Sequence, residues 1–187
     1  MVMTTQNQTR VAVLLGSLRA ESLNRRIAEH LRDNAPDGIV LDVVEGLDAV
    51  PFYNEEIDGD DAPASAVALR EAVAAADRVL AVTPEYNGTM PAVLNNAIDW
   101  LSRPYGQGAI VGKPFAAVGA TPTPYGGKWA HEHARHSARI AGAVVPEHIV
   151  ADVPAMEGDV LADDALVRRL LDAVQELVAH DPADAAA

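Results

Sequence analysis

Five short apolar runs alternate with longer stretches of helical periodicity along this chain, and few folds accept that order. The runs fall at 11–15, 39–44, 78–83, 114–120 and within 143–150. The first, V-A-V-L-L, is too short for a helix and has no polar alternation, the pattern of a strand covered on both faces. Between the runs the spacing predicts helices over 22–35, 63–76, 90–102 and 127–141, with a last one over 163–179. Leu23, Ile27, Ala28 and Leu31 recur at helical spacing before Pro36-Asp37-Gly38 ends the first helix. Thr89 reads as the N-cap of the third helix, with Pro91 in its first turn. Strands alternating with helices imply an α/β fold with a parallel sheet sandwiched between two helical layers. A length of 187 residues suits one domain, placed at 10–180, with 1–9 and 181–187 as flexible ends.

In such a sheet, ligands sit beyond the C-terminal ends of the strands, near the point where strand order reverses. The loops after the first, third and fourth strands therefore share one edge. The first carries Ser17, Arg19, Ser22 and Asn24 between Gly16 and a helix start. Hydroxyls, a guanidinium and a carboxamide beside the open amides of a helix suit an anion such as a phosphate monoester. The second loop, Pro84-Glu85-Tyr86-Asn87-Gly88-Thr89, offers a flat phenol and backbone groups suited to a planar heteroaromatic ring. The third starts at Thr121 and ends in Gly126-Gly127.

Composition narrows the partners. The net charge is −13, from 14 basic and 27 acidic residues, which argues against nucleic acid and anionic membrane surfaces. The first loop departs from this balance. Over residues 1–35, Arg10, Arg19, Arg25, Arg26 and Arg32 outnumber Glu21, Glu29 and Asp33. The N-terminal residues lack a signal-peptide layout, and no apolar run is long enough to span a bilayer. The absence of cysteine excludes thiol chemistry and fits a cytoplasmic location.

Several catalytic patterns fail. There is no G-x-S-x-G, and Ser17 lies in G-S-L-R. The stretch from Gly108 to Lys113 is one residue short of a nucleotide-triphosphate loop and runs into Pro114. Gly106 and Gly108 lead to Val111, not to a third glycine, and His131-Glu132 is followed by Arg135 where a zinc protease needs histidine. His133 and His136 share a helical face with Trp129 and Ile140, read as a surface or subunit contact, with no metal site assigned. No protein nucleophile or acid–base pair stands out, which favours a cofactor as the source of the chemistry. On residue types alone the ligand is a phosphate-bearing aromatic molecule.

Three blocks in order then carry a resemblance. They are G-S-L-R-x-x-S-x-N at 16–24, T-P-E-Y-N-G at 83–88 and N-N-A-I-D-W-L-S-R at 95–103, with P-F-Y-N at 51–54 and G-K-P at 112–114 also in place. Together they resemble the NADPH-dependent FMN reductase family, flavodoxin-like enzymes that include quinone and chromate reductases. The resemblance implies a five-stranded sheet of order 2-1-3-4-5. It implies FMN held by Ser17, Arg19, Ser22 and Asn24 at the phosphate, and by Pro84, Glu85, Tyr86, Asn87 and Gly88 along the ring, with Thr121 near the flavin. It implies NADPH or NADH as electron donor, two-electron transfer to a quinone, flavin or similar small acceptor, and a homodimer or homotetramer. The alternatives are a flavodoxin-like electron carrier, the flavin reductase component of a two-component monooxygenase, and a fold that has lost its flavin. The stiff Pro122-Thr123-Pro124-Tyr125 segment, followed by Trp129 and the histidines, leaves the acceptor open.

Overall fold

The computed structural model describes residues 8–182; of the ends expected to be flexible, 1–9 and 181–187, residues 1–7 and 183–187 lie outside the described residues. Five strands, β1 (Thr9–Leu15), β2 (Ile39–Val44), β3 (Arg78–Val82), β4 (Phe115–Thr121) and β5 (Ala151–Pro154), alternate with five helices. The helices are α1 (Leu23–Asp33), α2 (Ala64–Ala74), α3 (Ala92–Leu101), α4 (Lys128–Ile140) and α5 (Asp164–Ala179). The strands form one parallel sheet in the order β2-β1-β3-β4-β5, so the chain steps outward from β1 in both directions.

Side-chain alternation sorts the sheet into two cores. Val11, Val13, Leu15, Leu80, Val82, Val118 and Ala120 face α1 and α5, meeting Ile27, Leu31, Leu170 and Leu177. Ala12, Leu14, Val79, Ala81, Phe115 and Ala117 face the other way, against Leu69 of α2, Leu94 and Trp100 of α3 and Ala130 and Ala134 of α4. Trp100 is fully buried and its indole donates to the Pro51 carbonyl at 2.8 Å, so it is a packing residue.

Two sequence expectations fail. The fifth strand does not lie within 143–150. There, Val144 makes only an isolated bridge to Pro114, and the strand forms at Ala151–Pro154, where Ala151 pairs with Val118. Pro146 breaks the apolar run, which instead covers ends of the two cores through Ala143 and Ile149. Thr89 is also not the N-cap of α3. That position is Pro91, whose extended backbone (φ −58°, ψ 147°) leads into Ala92. Thr89 instead pairs with Tyr86, its N–H donating to the Tyr86 carbonyl and its carbonyl accepting the Tyr86 N–H.

Candidate functional site

The first loop leaves β1 through Gly16, whose N–H donates to the Val82 carbonyl at 2.9 Å. A Cβ on Gly16 would lie 2.0 Å from Thr83 Oγ1, so only glycine lets the ends of β1 and β3 approach this closely. Ser17 and Ser22 follow, each 1 % exposed. Ser22 occupies the N-cap position of α1, yet its side chain makes no cap bond. Both serine hydroxyl oxygens are buried without a hydrogen-bond partner. A buried unpaired hydroxyl costs roughly 1–3 kcal/mol. Two of them beside an uncapped helix N-terminus mark a spot built for an acceptor of hydrogen bonds.

The basic island resolves into pairs. Arg10 meets Asp42, Arg25 meets Glu45, Arg26 meets Asp159 and Arg32 meets Asp33. The Arg25 hydrogen bond also holds the Glu45 carboxyl below its ordinary value. The Arg19 side chain is exposed and makes no hydrogen bond or ion pair with the described residues. Of the five arginines it is the one with its charge available. A cavity of about 360 Å³ lies beside the loop, lined by Ser17, Leu18, Arg25, Glu45 and Asp48. Asn24 has a different task from the serines. Its amide donates to the Ala120 carbonyl and its oxygen accepts the Ala120 N–H, both at 2.9 Å. It thereby ties α1 to β4 as a strand neighbour would.

The second loop is a turn in which Tyr86 and Thr89 exchange both backbone bonds, with Asn87 (φ 53°) and Gly88 (φ 73°) between them. Two central residues at positive φ identify a type I′ turn, which the Asn-Gly pair favours. It presents Tyr86, 45 % exposed, at its shoulder. Helix α4 holds this loop on both sides. Glu85 Oε2 accepts the N–H groups of Trp129 (3.0 Å) and Ala130 (3.2 Å), capping a helix whose own N-cap residue, Gly127, has no side chain. Thr89 Oγ1 meets His133 Nδ1 at 2.8 Å. Pro84, half-buried, has its carbonyl bonded by the Thr83 hydroxyl. Thr121, at the end of β4, is buried and shares a 2.9 Å hydrogen bond with Thr123.

The sequence did not single out Asp152. It stands on β5 opposite Gly119, and its carboxylate lies 2.6 Å from Nδ1 of the fully buried His131. Misplacing β5 hid this pairing. His133 and His136 are exposed on α4, and among the described residues no group of three or more His, Cys, Asp or Glu side chains could hold a metal ion.

An open parallel sheet with an anion spot after its first strand and a braced turn after its third defines a flavodoxin-like cofactor-binding architecture. Residues 9–156 match the model of the NADPH-dependent FMN reductase family, and the chain belongs to that family. Among its relatives, a quinone reductase from Pseudomonas putida is 46 % identical over 127 residues, which is 68 % of each chain. A 2-hydroxy-1,4-benzoquinone reductase from Burkholderia is 42 % identical over 126 residues, covering 67 % of this chain and 68 % of that one. Among solved structures, the flavoenzyme NAD(P)H:(acceptor) oxidoreductase FerB from Paracoccus denitrificans superposes with a TM-score of 0.75 at 30 % identity, over 92 % of this chain and 98 % of that one. The chain is an NAD(P)H-dependent flavin oxidoreductase that works with FMN on a small-molecule acceptor. No helix of the described residues is long and apolar enough to cross a membrane.

Proposed function

We propose that the chain reduces quinones by two-electron transfer from NADPH or NADH, with FMN seated across the first and second loops. The observation that carries this reading is the pair of buried, unpartnered hydroxyls of Ser17 and Ser22 at the uncapped start of α1. FMN brings a phosphate monoester and a flat ring with polar edges, and the residues present fit both. Ser17 and Ser22 donate to the phosphate, the α1 amides face it, and Arg19 closes on it from solvent. Asn24 holds α1 against β4 and so fixes where those amides point. Pro84, Glu85, Tyr86, Asn87 and Gly88 flank the ring, with the turn held rigid by α4, and Thr121 borders it from β4. Held by these residues, FMN would supply the two-electron chemistry that links the nicotinamide to the acceptor. The chain's own part is to bind, orient and fix the loop geometry, and no side chain is assigned as acid or base. The quinone class is supported by the relatives in Pseudomonas putida and Burkholderia.

Assembly as a homodimer or homotetramer belongs to the same proposal. It is supported by a groove of about 570 Å³ between α3 and α4, bordered by the exposed Tyr105 and Ile140. A cytoplasmic location is supported by the absence of cysteine. The deciding experiment mixes the FMN-loaded protein anaerobically with NADPH and with NADH. The flavin absorbance bleaches with at least one and returns on adding a benzoquinone. No bleaching with either donor overturns the donor assignment, and bleaching without recovery overturns the quinone assignment.

A further inference from the structure

His131 sits at the centre of a buried polar seam that the reading above leaves unused. Its ring is fully buried on the sheet side of α4. Nδ1 faces Asp152 Oδ1 at 2.6 Å, and Nε2 faces the Thr83 carbonyl oxygen at 3.2 Å. A carbonyl oxygen only accepts, so Nε2 must carry a proton for this contact to be a bond. The second partner is a carboxyl, which puts a further proton between Nδ1 and Oδ1. The pair therefore holds two protons and is neutral as a unit, on whichever of the two atoms the shared one rests.

Three glycines make room for it. A Cβ on Gly119 would stand 2.3 Å from the Thr83 oxygen and 3.1 Å from His131 Nε2. One on Gly127 would stand 3.1 Å from His131 Cε1, and one on Gly126 would stand 2.6 Å from the Asp152 carbonyl carbon. On the far side, Arg169 from α5 donates to the Asp152 carbonyl at 3.0 Å, fixing the main chain that carries the carboxylate. Thr83 is the last residue before Pro84, so its peptide sets the direction in which the second loop leaves β3.

We infer that His131 and Asp152 are positioning residues for the cofactor: the His131 Nε2–H, oriented by Asp152, clamps the Thr83 carbonyl and so fixes the Pro84–Gly88 loop where the flavin ring lies. The inference rests on the FMN site proposed above. It concerns a contact behind the cradle, since His131 is sealed from solvent.

The test combines nitrogen NMR with paired substitutions. In the apo chain labelled with ¹⁵N-histidine, the His131 Nε2 signal is that of a protonated nitrogen. An unprotonated Nε2 overturns the inference. Asp152→Asn keeps a hydrogen-bond partner for Nδ1 by donating from its amide, so Nε2 keeps its proton and FMN affinity stays within about twofold, while Nδ1 moves to an unprotonated shift. Asp152→Ala removes the partner, and FMN affinity, read by flavin fluorescence, falls about tenfold, the scale of one lost buried hydrogen bond. Asp152→Ala binding as tightly as the parent, or Asp152→Asn binding as weakly as Asp152→Ala, overturns it. If Asp152→Ala does not fold, the parent and Asp152→Asn spectra and affinities decide alone. A parent chain that takes up no FMN defeats the cofactor reading, and the Nε2 signal still judges the clamp.

Discussion

Glu85 gives the sharpest single test of how the site is built. The structure gives this family-motif residue a defined contact, its carboxylate on the start of α4. Glu85→Ala removes two charge-assisted hydrogen bonds, to the Trp129 and Ala130 amides, from a helix with no other side-chain cap. Losing a cap costs about 1 kcal/mol, and losing a carboxylate from the positive end of a helix costs about 0.3–1 kcal/mol more. The expected loss is therefore about 1.3–2 kcal/mol. For a chain of this size each kcal/mol moves the melting temperature by roughly 2–4 °C, so Glu85→Ala should melt about 3–8 °C lower. Glu85→Gln keeps a neutral acceptor and should lose only about 0.5 kcal/mol, a difference that shrinks as salt is raised. Urea titrations of the apo forms, followed by circular dichroism, read these values directly. FMN affinity should fall in the same order, because the loop that loses its anchor flanks the ring. If Glu85→Ala unfolds at the parental urea midpoint, the cap contributes nothing and α4 does not brace the loop.

Three further outcomes follow from geometry already described. Arg19→Ala should weaken FMN binding by about 1–3 kcal/mol in a fluorescence titration and leave the urea midpoint unchanged, since the side chain is exposed and unpaired among the described residues. Gly16→Ala should destabilise the fold by about 1–3 kcal/mol in the same assay, and Thr83→Ala should not restore it, because the Thr83 Cβ alone would lie 2.5 Å from the added methyl carbon. Asp58 is held below its ordinary value chiefly by its hydrogen bonds to Arg70, at 2.7 and 2.9 Å. A carboxylate lowered in the folded state adds stability that is complete above its unfolded value and lost as pH falls through its folded value. Asp58→Asn should thus cost stability near neutrality, and the gap from the parent should close in urea titrations carried down through the acid range.

Much of this could be read from the chain because local pattern and fold agree. The run at 39–44 is the second strand residue for residue, and Asn87-Gly88 forms a turn with both residues at positive φ. The sheet order came from the family resemblance, and the structure has it. What could not be read depends on contacts between distant segments. The fifth strand is four residues, one of them charged and one a proline, and it exists because β4 offers an edge to pair with. Nothing near Glu85 in sequence announces that Trp129 and Ala130 will present open amides to it. Likewise the five early arginines look alike until their carboxylate partners arrive, from as far away as Asp159, and leave Arg19 over.

The placement of β1 and β3 has a consequence for how the site takes up its cofactor. Each is flanked by a strand on both sides, and the two cradle loops are the direct continuations of these two interior strands. Folding itself thus fixes where both loops leave the sheet, before any ligand arrives. Cofactor uptake does not have to place those two points, and what it adds to stability rises with the logarithm of free FMN above its dissociation constant.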